Sequence, residues 1–417
     1  MRPHLKIRSA TAAVLGVCLA IQAPAAGPQF EATDAGMSMQ RLQRIAQMIE
    51  RRIAARDISG AVTLVARKGR VVHFEASGLM DIDSKRRMSR DAIFRIASMT
   101  KPITAVAILM LNEEGKLLLT DPVAKFIPQY GELKVAVGEP AVPATAGSKR
   151  GFHTVPADRQ ITIQDLLTHT SGIVTEAGSL SNREAAKAPR QPAETLADYI
   201  PRLAVVPLEF QPGTRWQYSP GAGFDALGRI VEIVSGQSFD RFLRERIFEP
   251  LGMKNTAFKL DESQTLRLAT RYERTETALR KLPPRATSVY FSGGGGLAST
   301  AEDYRRFAQM LLNRGQLDGK RLLSARSVET MSAVHIRDTL PGRPPGEGWG
   351  LGVRVISDAA ARNTWLSNGS FGWTGAQSTH FWVDPEEQLL AILMIQTPAV
   401  GIRPDFETLV MQAIVGE

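Results

Sequence analysis

Strand-type patterning stands at both ends of this chain of 417 residues, while helical periodicity fills the middle, and that layout decides how the chain can close. Residues 60–77 alternate or run apolar around Lys68-Gly69-Arg70, the pattern of a β-hairpin. Far along the chain, Gly350–Ile356, Ser378–Val383 and Leu389–Ile395 read as strands, the last two joined by Asp384-Pro385. A strand left alone exposes unpaired N–H and C=O groups, so segments from opposite ends of the chain must find each other. Apolar residues at helical spacing mark an opening helix over 39–55 (Met39, Leu42, Ile45, Met48, Ile49, Ile53) and a second from about Ser98. A third covers 224–235, where Leu227, Ile230, Val231 and Val234 share a face ahead of Gly236. Residues 131–160, rich in Gly, Pro and Ala, read as a long excursion loop; the pattern from there to 290 is mostly helical, and a last helix is expected over 404–414. The expected fold class is α/β of the α+β kind. An antiparallel sheet built from both chain ends is flanked by helices, with the α/β part at about 38–100 and 290–417 and a mostly helical inserted part at about 101–289.

The N terminus reads as an export signal rather than as part of that fold. Arg2, Lys6 and Arg8 precede a short apolar run, Ala10 to Ile21, and Ala23-Pro24-Ala25 supplies small residues for cleavage. The run is about half of the ~20 residues that span a bilayer, so no transmembrane segment remains once residues 1–25 are removed. Cys18 is the only cysteine and falls inside this segment, with Val17 a poor residue ahead of a lipid-anchored cysteine. The mature domain, residues 26–417, therefore has no disulfide or cysteine metal site, as suits a periplasmic or secreted protein. Residues 1–25 hold three basic and no acidic side chains, so their removal takes the formal charge from +9 to +6. Without a basic stripe interleaved with aromatics, that balance describes a solvated surface and gives no reason to expect a nucleic-acid partner.

Several kinds of chemistry are excluded by spacing. Among His73, His153, His169, His335 and His380, no two stand three or four residues apart, so no helical ligand pair exists and no metal is expected. Gly293-Gly294-Gly295-Gly296 lacks the Lys-Ser/Thr of a phosphate-binding loop and reads as a flexible loop ending at a capping box, Ser299 with Glu302. There is no Gly-x-Ser-x-Gly elbow.

Ser98-Met99-Thr100-Lys101 is the only Ser-x-x-Lys in the chain, and it falls where a helix begins. At i and i+3 the two side chains share a helix face, and a partly buried amine there can take the serine's proton. The positive end of the helix favours a developing oxyanion. Read otherwise, the pair is a capping serine and a surface lysine. Tyr218, in Trp216-Gln217-Tyr218-Ser219-Pro220-Gly221, lies at the entrance of the 224–235 helix, and a phenol beside an ammonium can serve as a general base. Its plain reading is a core tyrosine with a wet hydroxyl. Gly372-Trp373-Thr374-Gly375-Ala376 lies between strands, and its small residues either let a backbone N–H approach a ligand or form an ordinary bend.

Taken in order, these stretches resemble the serine β-lactamase and penicillin-binding family, and within it the group of class C β-lactamases, D-aminopeptidases and family VIII carboxylesterases. The resemblance is carried by Phe94-Arg95-Ile96-Ala97-Ser98-Met99-Thr100-Lys101, Leu166-Leu167-Thr168-His169-Thr170-Ser171-Gly172 and Tyr218-Ser219. It continues through Leu227-Gly228-Arg229-Ile230-Val231-Glu232, Pro250-Leu251-Gly252-Met253 and Gly293-Gly294-Gly295-Gly296-Leu297 with Ser299-Thr300. It implies that Ser98 is acylated, that Lys101 and Tyr218 share general-base and general-acid duty, and that the backbone N–H groups of Ser98 and Ala376 form the oxyanion hole. No cofactor or metal is implied, and His169 receives no chemical role.

Two departures bear on the substrate. The third place of the family's Tyr-x-Asn is Pro220, and the Lys-Thr-Gly motif is Trp373-Thr374-Gly375. The ammonium that helps hold a β-lactam carboxylate is thus absent from the substrate-binding segment, a loss worth ~1.5–3 kcal/mol if nothing replaces it. Tryptophan there resembles the family VIII esterases. The expectation is an exported serine hydrolase, most simply a carboxylesterase on small acyl esters with some β-lactam promiscuity. The alternatives are a β-lactamase or a D-alanyl-D-alanine carboxypeptidase or D-aminopeptidase acting on D-amino-acid peptides, and a non-catalytic ligand-binding module. The sequence says nothing of oligomeric state.

Overall fold

The chain ends do meet in one sheet. The computed structural model describes residues 35–138, 151–173, 177–286, 288–336 and 339–416, and the proposed export segment lies outside them. Three strands come from the N-terminal side: Gly60–Arg67 (β1), Arg70–Asp81 (β2) and Arg86–Arg87 (β3). Five come from the C-terminal side: Glu347–Trp349 (β4), Arg354–Ile356 (β5), Phe371–Thr374 (β6), His380–Asp384 (β7) and Leu389–Met394 (β8). They run antiparallel in the order β4-β5-β6-β7-β8-β1-β2-β3. The seam that joins the two ends is β1 against β8, with Val62 opposite Met394 and Arg67 opposite Leu389.

Both seam strands are buried at every residue, so both faces of the sheet are covered. The period of two sorts their side chains cleanly. Val62, Leu64, Leu390, Ile392 and Phe381 point into the larger core, which holds the helices Thr100–Glu113 and Ala301–Leu312. Ala61, Val65, Ala391, Leu393 and Trp382 point the other way, onto Met39–Ala54 and Ile402–Met411. In chain order we number the main helices α1 (Met39–Ala54), α2 (Thr100–Glu113), α3 (Ala222–Ser235), α4 (Ala301–Leu312) and α5 (Ile402–Met411). α1 begins at Ser38, whose hydroxyl accepts the Arg41 N–H, and presents Leu42, Ile45, Met48 and Ile49 inward as its spacing requires. α2 is buried from Thr100 to Leu111, which makes it a core helix with no wet face.

Several local expectations are corrected. Within 131–160, Lys134–Gly138 pairs with Phe152–Pro156, while residues 139–150 lie outside the described part. The stretch up to 290 is not helical throughout, since Tyr272–Arg274 and Leu279–Lys281 form a hairpin. The strand expected over Gly350–Ile356 is a hairpin too. β4 stops at Trp349 and β5 starts at Arg354, because Gly352 takes a left-handed φ of 78°. Helix α4 is capped one residue later than Ser299, by Thr300 accepting from the Asp303 N–H, because Ser299 still belongs to a two-residue strand against Phe94.

His73, on β2, is buried with Nε2 at 2.7 Å from the Thr63 hydroxyl. Burial, with help from the Arg90 charge, lowers its pKa from 6.5 to about 4. A base that is harder to protonate when folded contributes its stability in full above 6.5 and loses it as the pH falls toward 4. Urea unfolding at pH 7 and pH 4 is expected to show a larger acid loss for the wild type than for His73→Gln, by up to roughly 3 kcal/mol.

Candidate active site

Residues 94–101 approach the sheet edge through a strained turn. Phe94 and Arg95 pair with Ser299 and Ala298, Ala97–Met99 make one tight 3-10 turn, and α2 starts only at Thr100. Ser98 therefore sits on the turn before the helix rather than inside it. Pro102, third in α2, loses no bond, because the first-turn N–H groups have no intrahelical partner. Ala97 holds a left-handed φ of 46°, a conformation costing an L-residue about 1–2 kcal/mol. The turn is wedged from behind: the Thr379 hydroxyl donates to the Ile96 carbonyl at 3.3 Å. Gly375 lies so close that a Cβ there would collide with Thr379 Oγ1 and the Ile96 oxygen. That contact, rather than a loose bend, explains glycine at 375.

Lys101 is fully buried. Its Nζ donates to the Pro220 carbonyl at 2.6 Å, the Gly294 carbonyl at 2.7 Å and Ser98 Oγ at 3.3 Å. These three partners surround the amine and leave no face of it open. The glycine run that supplies one of these carbonyls is not a flexible loop. None of the four has a positive φ. A Cβ on Gly293 would strike the Phe224 carbonyl, one on Gly294 would lie 2.9 Å from Gly221 Cα, and one on Gly296 would lie 2.7 Å from the Phe258 ring. Close approach, not mobility, selects glycine there.

Tyr218 meets Lys101 through its ring, whose centroid is 4.9 Å from Nζ. Its hydroxyl accepts the indole N–H of Trp373 at 3.3 Å. The residue that replaces the family's lysine thus keeps a donor on the phenol oxygen while removing the charge. Trp349 packs edge-on against Trp373 at 4.5 Å, and His169 lies against Tyr218 at 4.7 Å and Trp349 at 4.8 Å. Thr374 continues β6 opposite His380. Ser98 and Ala376 line one cavity together. Ser98 and Tyr218 thus both meet Lys101, Trp373 reaches Tyr218, Gly375 lies against the turn at Ile96, and Ala376 shares a cavity wall with Ser98.

Three contributors were missed. Asp225, on α3, is buried, accepting from the Tyr290 hydroxyl at 2.8 Å, the Ser292 hydroxyl at 2.6 Å and the Gly294 N–H at 2.9 Å. Burial raises its pKa, while these donors and the Lys101 charge oppose the rise. It fixes the glycine whose carbonyl holds Lys101. An acid in the apolar first half of this helix, between Phe224 and Leu227, was the available signal. His169 is the second. Its carbonyl accepts from the Gln217 N–H and its Nδ1 from the Ser219 N–H, both at 3.1 Å, so it grips the chain on either side of Tyr218. Burial, then the Lys101 charge, holds its pKa well below the ordinary value, so the ring is neutral with its proton on Nε2. Its left-handed φ of 58° and its grip on residues 217–219 are tertiary facts with no sequence signal. The backbone carbonyl of Pro220 is the third, and a carbonyl leaves no trace in residue identity.

The chain is similar to several known proteins. The beta-lactamase family model matches residues 45–407. Protein Rv1367c of Mycobacterium tuberculosis is 38% identical over 355 residues, covering 81% of this chain and 86% of its own. Esterase EstB of Burkholderia gladioli is 30% identical over 390 residues, covering 86% of this chain and 91% of its own. Among solved structures, EstCE1, a hydrolase with promiscuous acyltransferase activity, superimposes with a TM-score of 0.74 at 26% identity, over 90% of this chain and 99% of that one.

Removing the Asp225 carboxylate strands three donors, one of them the Gly294 N–H behind the carbonyl that holds Lys101. Asp225→Ala is expected to lower the urea unfolding free energy by roughly 3–5 kcal/mol. Asp225→Asn keeps one acceptor oxygen and should cost less in the same measurement.

Proposed function

The chain belongs to the β-lactamase family and is a serine hydrolase, and we propose that it is a carboxylesterase that works through a Ser98 acyl-enzyme. The observation that carries this reading is the hydrogen bond, 3.3 Å long, between the wholly buried Lys101 amine and the Ser98 hydroxyl. In the first half-reaction Ser98 Oγ forms a bond to the acyl carbon and the ester C–O bond breaks. The serine proton passes through Tyr218, with Lys101 holding the developing negative charge, and ends on the leaving alcohol. Water then adds to the acyl carbon, the Ser98 ester bond breaks, and the carboxylic acid departs with the proton returned to Ser98. The backbone N–H groups of Ser98 and Ala376 receive the oxyanion in both halves. Trp373, Thr374 and Gly375 form the substrate-facing strand edge.

Preference for esters over β-lactams is supported by Trp373, whose indole gives no countercharge to a carboxylate beside Tyr218. The likeness to an esterase at 30% identity supports it as well. Export rests on the pattern of residues 1–25 alone, and N-terminal sequencing of the mature protein from the producing cell tests it: a start near residue 26 is expected.

Purified protein assayed on 4-nitrophenyl butyrate should show turnover that Ser98→Ala abolishes. Tyr218→Phe should lower kcat by roughly 10²–10⁴-fold, and intact-mass measurement should catch a butyryl adduct at Ser98. A chromogenic cephalosporin should be turned over far more slowly. Ester hydrolysis unchanged in Ser98→Ala would refute the assignment.

A further inference from the structure

The space in front of Ser98 extends well beyond the residues assigned so far. A cavity of about 1170 Å³ is lined at one end by Ser98, Ala376 and Gly294–Gly296, and continues past Phe258 and Phe291 to residues 281–286. Ser98, Pro220 and Ala376 belong to its wall, while Tyr218 and Trp373 are not among the residues that line it. Every charged residue described in that wall is Arg or Lys. Some of this charge is already spoken for. Lys281 bridges Asp81 and Asp83, and Arg86 donates to the carbonyls of Leu266 and Leu268.

Arg95, Arg271 and Arg285 are different. Among the described residues none of them has a carboxylate partner. Arg271 gives one N–H to the Pro283 carbonyl at 2.7 Å and keeps the rest of its guanidinium donors. Arg95 is half-buried, three residues ahead of Ser98 on the turn that places the serine. Burial, then the charges of Arg285 and Arg271, depresses its pKa, and Arg271 feels Arg285 in the same way. Three guanidinium groups repelling one another around an open volume favour an anion in that volume.

Resting on the reading of the chain as a Ser98 esterase, we propose that its substrate is an ester bearing a carboxylate, which Arg95, Arg271 and Arg285 hold while Ser98 meets the acyl carbon. The charge recognition that the family places beside the tyrosine has moved to the opposite flank. Trp373 supplies an apolar wall on one side of the serine, and the arginines supply a planar, multi-donor clamp on the other. The substrate is therefore polarised, with its anionic end toward residues 271–285 and its apolar end toward the tryptophans.

Two isosteric pairs test this, one charged on the acyl side and one on the leaving side. They are 4-nitrophenyl hydrogen glutarate against 4-nitrophenyl pentanoate, and 4-carboxyphenyl butyrate against 4-methylphenyl butyrate, each rate normalised to its hydroxide-catalysed hydrolysis. The anionic member of one pair should show a kcat/KM roughly 10- to 100-fold higher. The ratio should shrink as sodium chloride is raised from 0.05 to 0.5 M. It should also fall at least several-fold in Arg271→Gln and in Arg285→Gln, the latter at an exposed position that tolerates the change. Hydrolysis of the neutral esters with no anionic preference in either pair, or a preference that both variants leave intact, overturns the clamp alone. Absence of any Ser98-dependent hydrolysis overturns the esterase reading and the clamp with it.

Discussion

A buried lysine organises this protein. Lys101 has no access to water, and an isolated charge in that position costs several kcal/mol or more. What compensates it is spread across the chain: a carbonyl at 220, a carbonyl at 294, the hydroxyl at 98, and a carboxylate at 225 behind the glycine run. None of these groups can move without exposing another to an unmet polar partner. The three-point hold on Nζ is thus also a geometric lock between α2, the loop ahead of α3 and the segment ahead of α4. The serine is positioned because the lysine is.

That lock works only because the sheet delivers its pieces from opposite directions. The β1–β8 seam draws the C-terminal hairpins alongside the N-terminal one, and β6 then carries residues 373–376 up to the turn at 96–98. The collision that a Cβ on Gly375 would make with Ile96 measures how tightly the two are pressed. Strain at Ala97 is the local consequence. It is sustained because the hydrogen bonds and packing on both sides over-determine the turn.

The two flanks of the serine have opposite character. Around Tyr218 lie rings: His169, Trp349 and Trp373, all within 7 Å of the phenol ring. His169 stays neutral there, and Lys101 Nζ lies 4.9 Å from the centre of the phenol ring. On the far side the wall is cationic. At 373 the indole N–H gives the hydroxyl of Tyr218 a donor without bringing a charge.

The side chains gathered at the candidate site were readable one by one: Ser98 and Lys101 by their spacing, Tyr218 by its place at a helix entrance, Gly375 by its size. So was the fold class, because period-two runs at both ends admit few ways to close. The short elements were not. The hairpin at 272–281, the break at Gly352 and the shift of the α4 cap to Thr300 depend on what lies across from them, as did the reading of Gly293–Gly296 as mobile. The support of the site was invisible for a more basic reason. Pro220 and Gly294 hold Lys101 through carbonyl oxygens, which every residue possesses, and His169 holds Tyr218 through a neighbour's N–H. Sequence determines which side chains are present. Only the tertiary structure decides which backbone groups face the buried lysine and which arginines, among the described residues, have no carboxylate partner, since both depend on distances between segments that are remote along the chain.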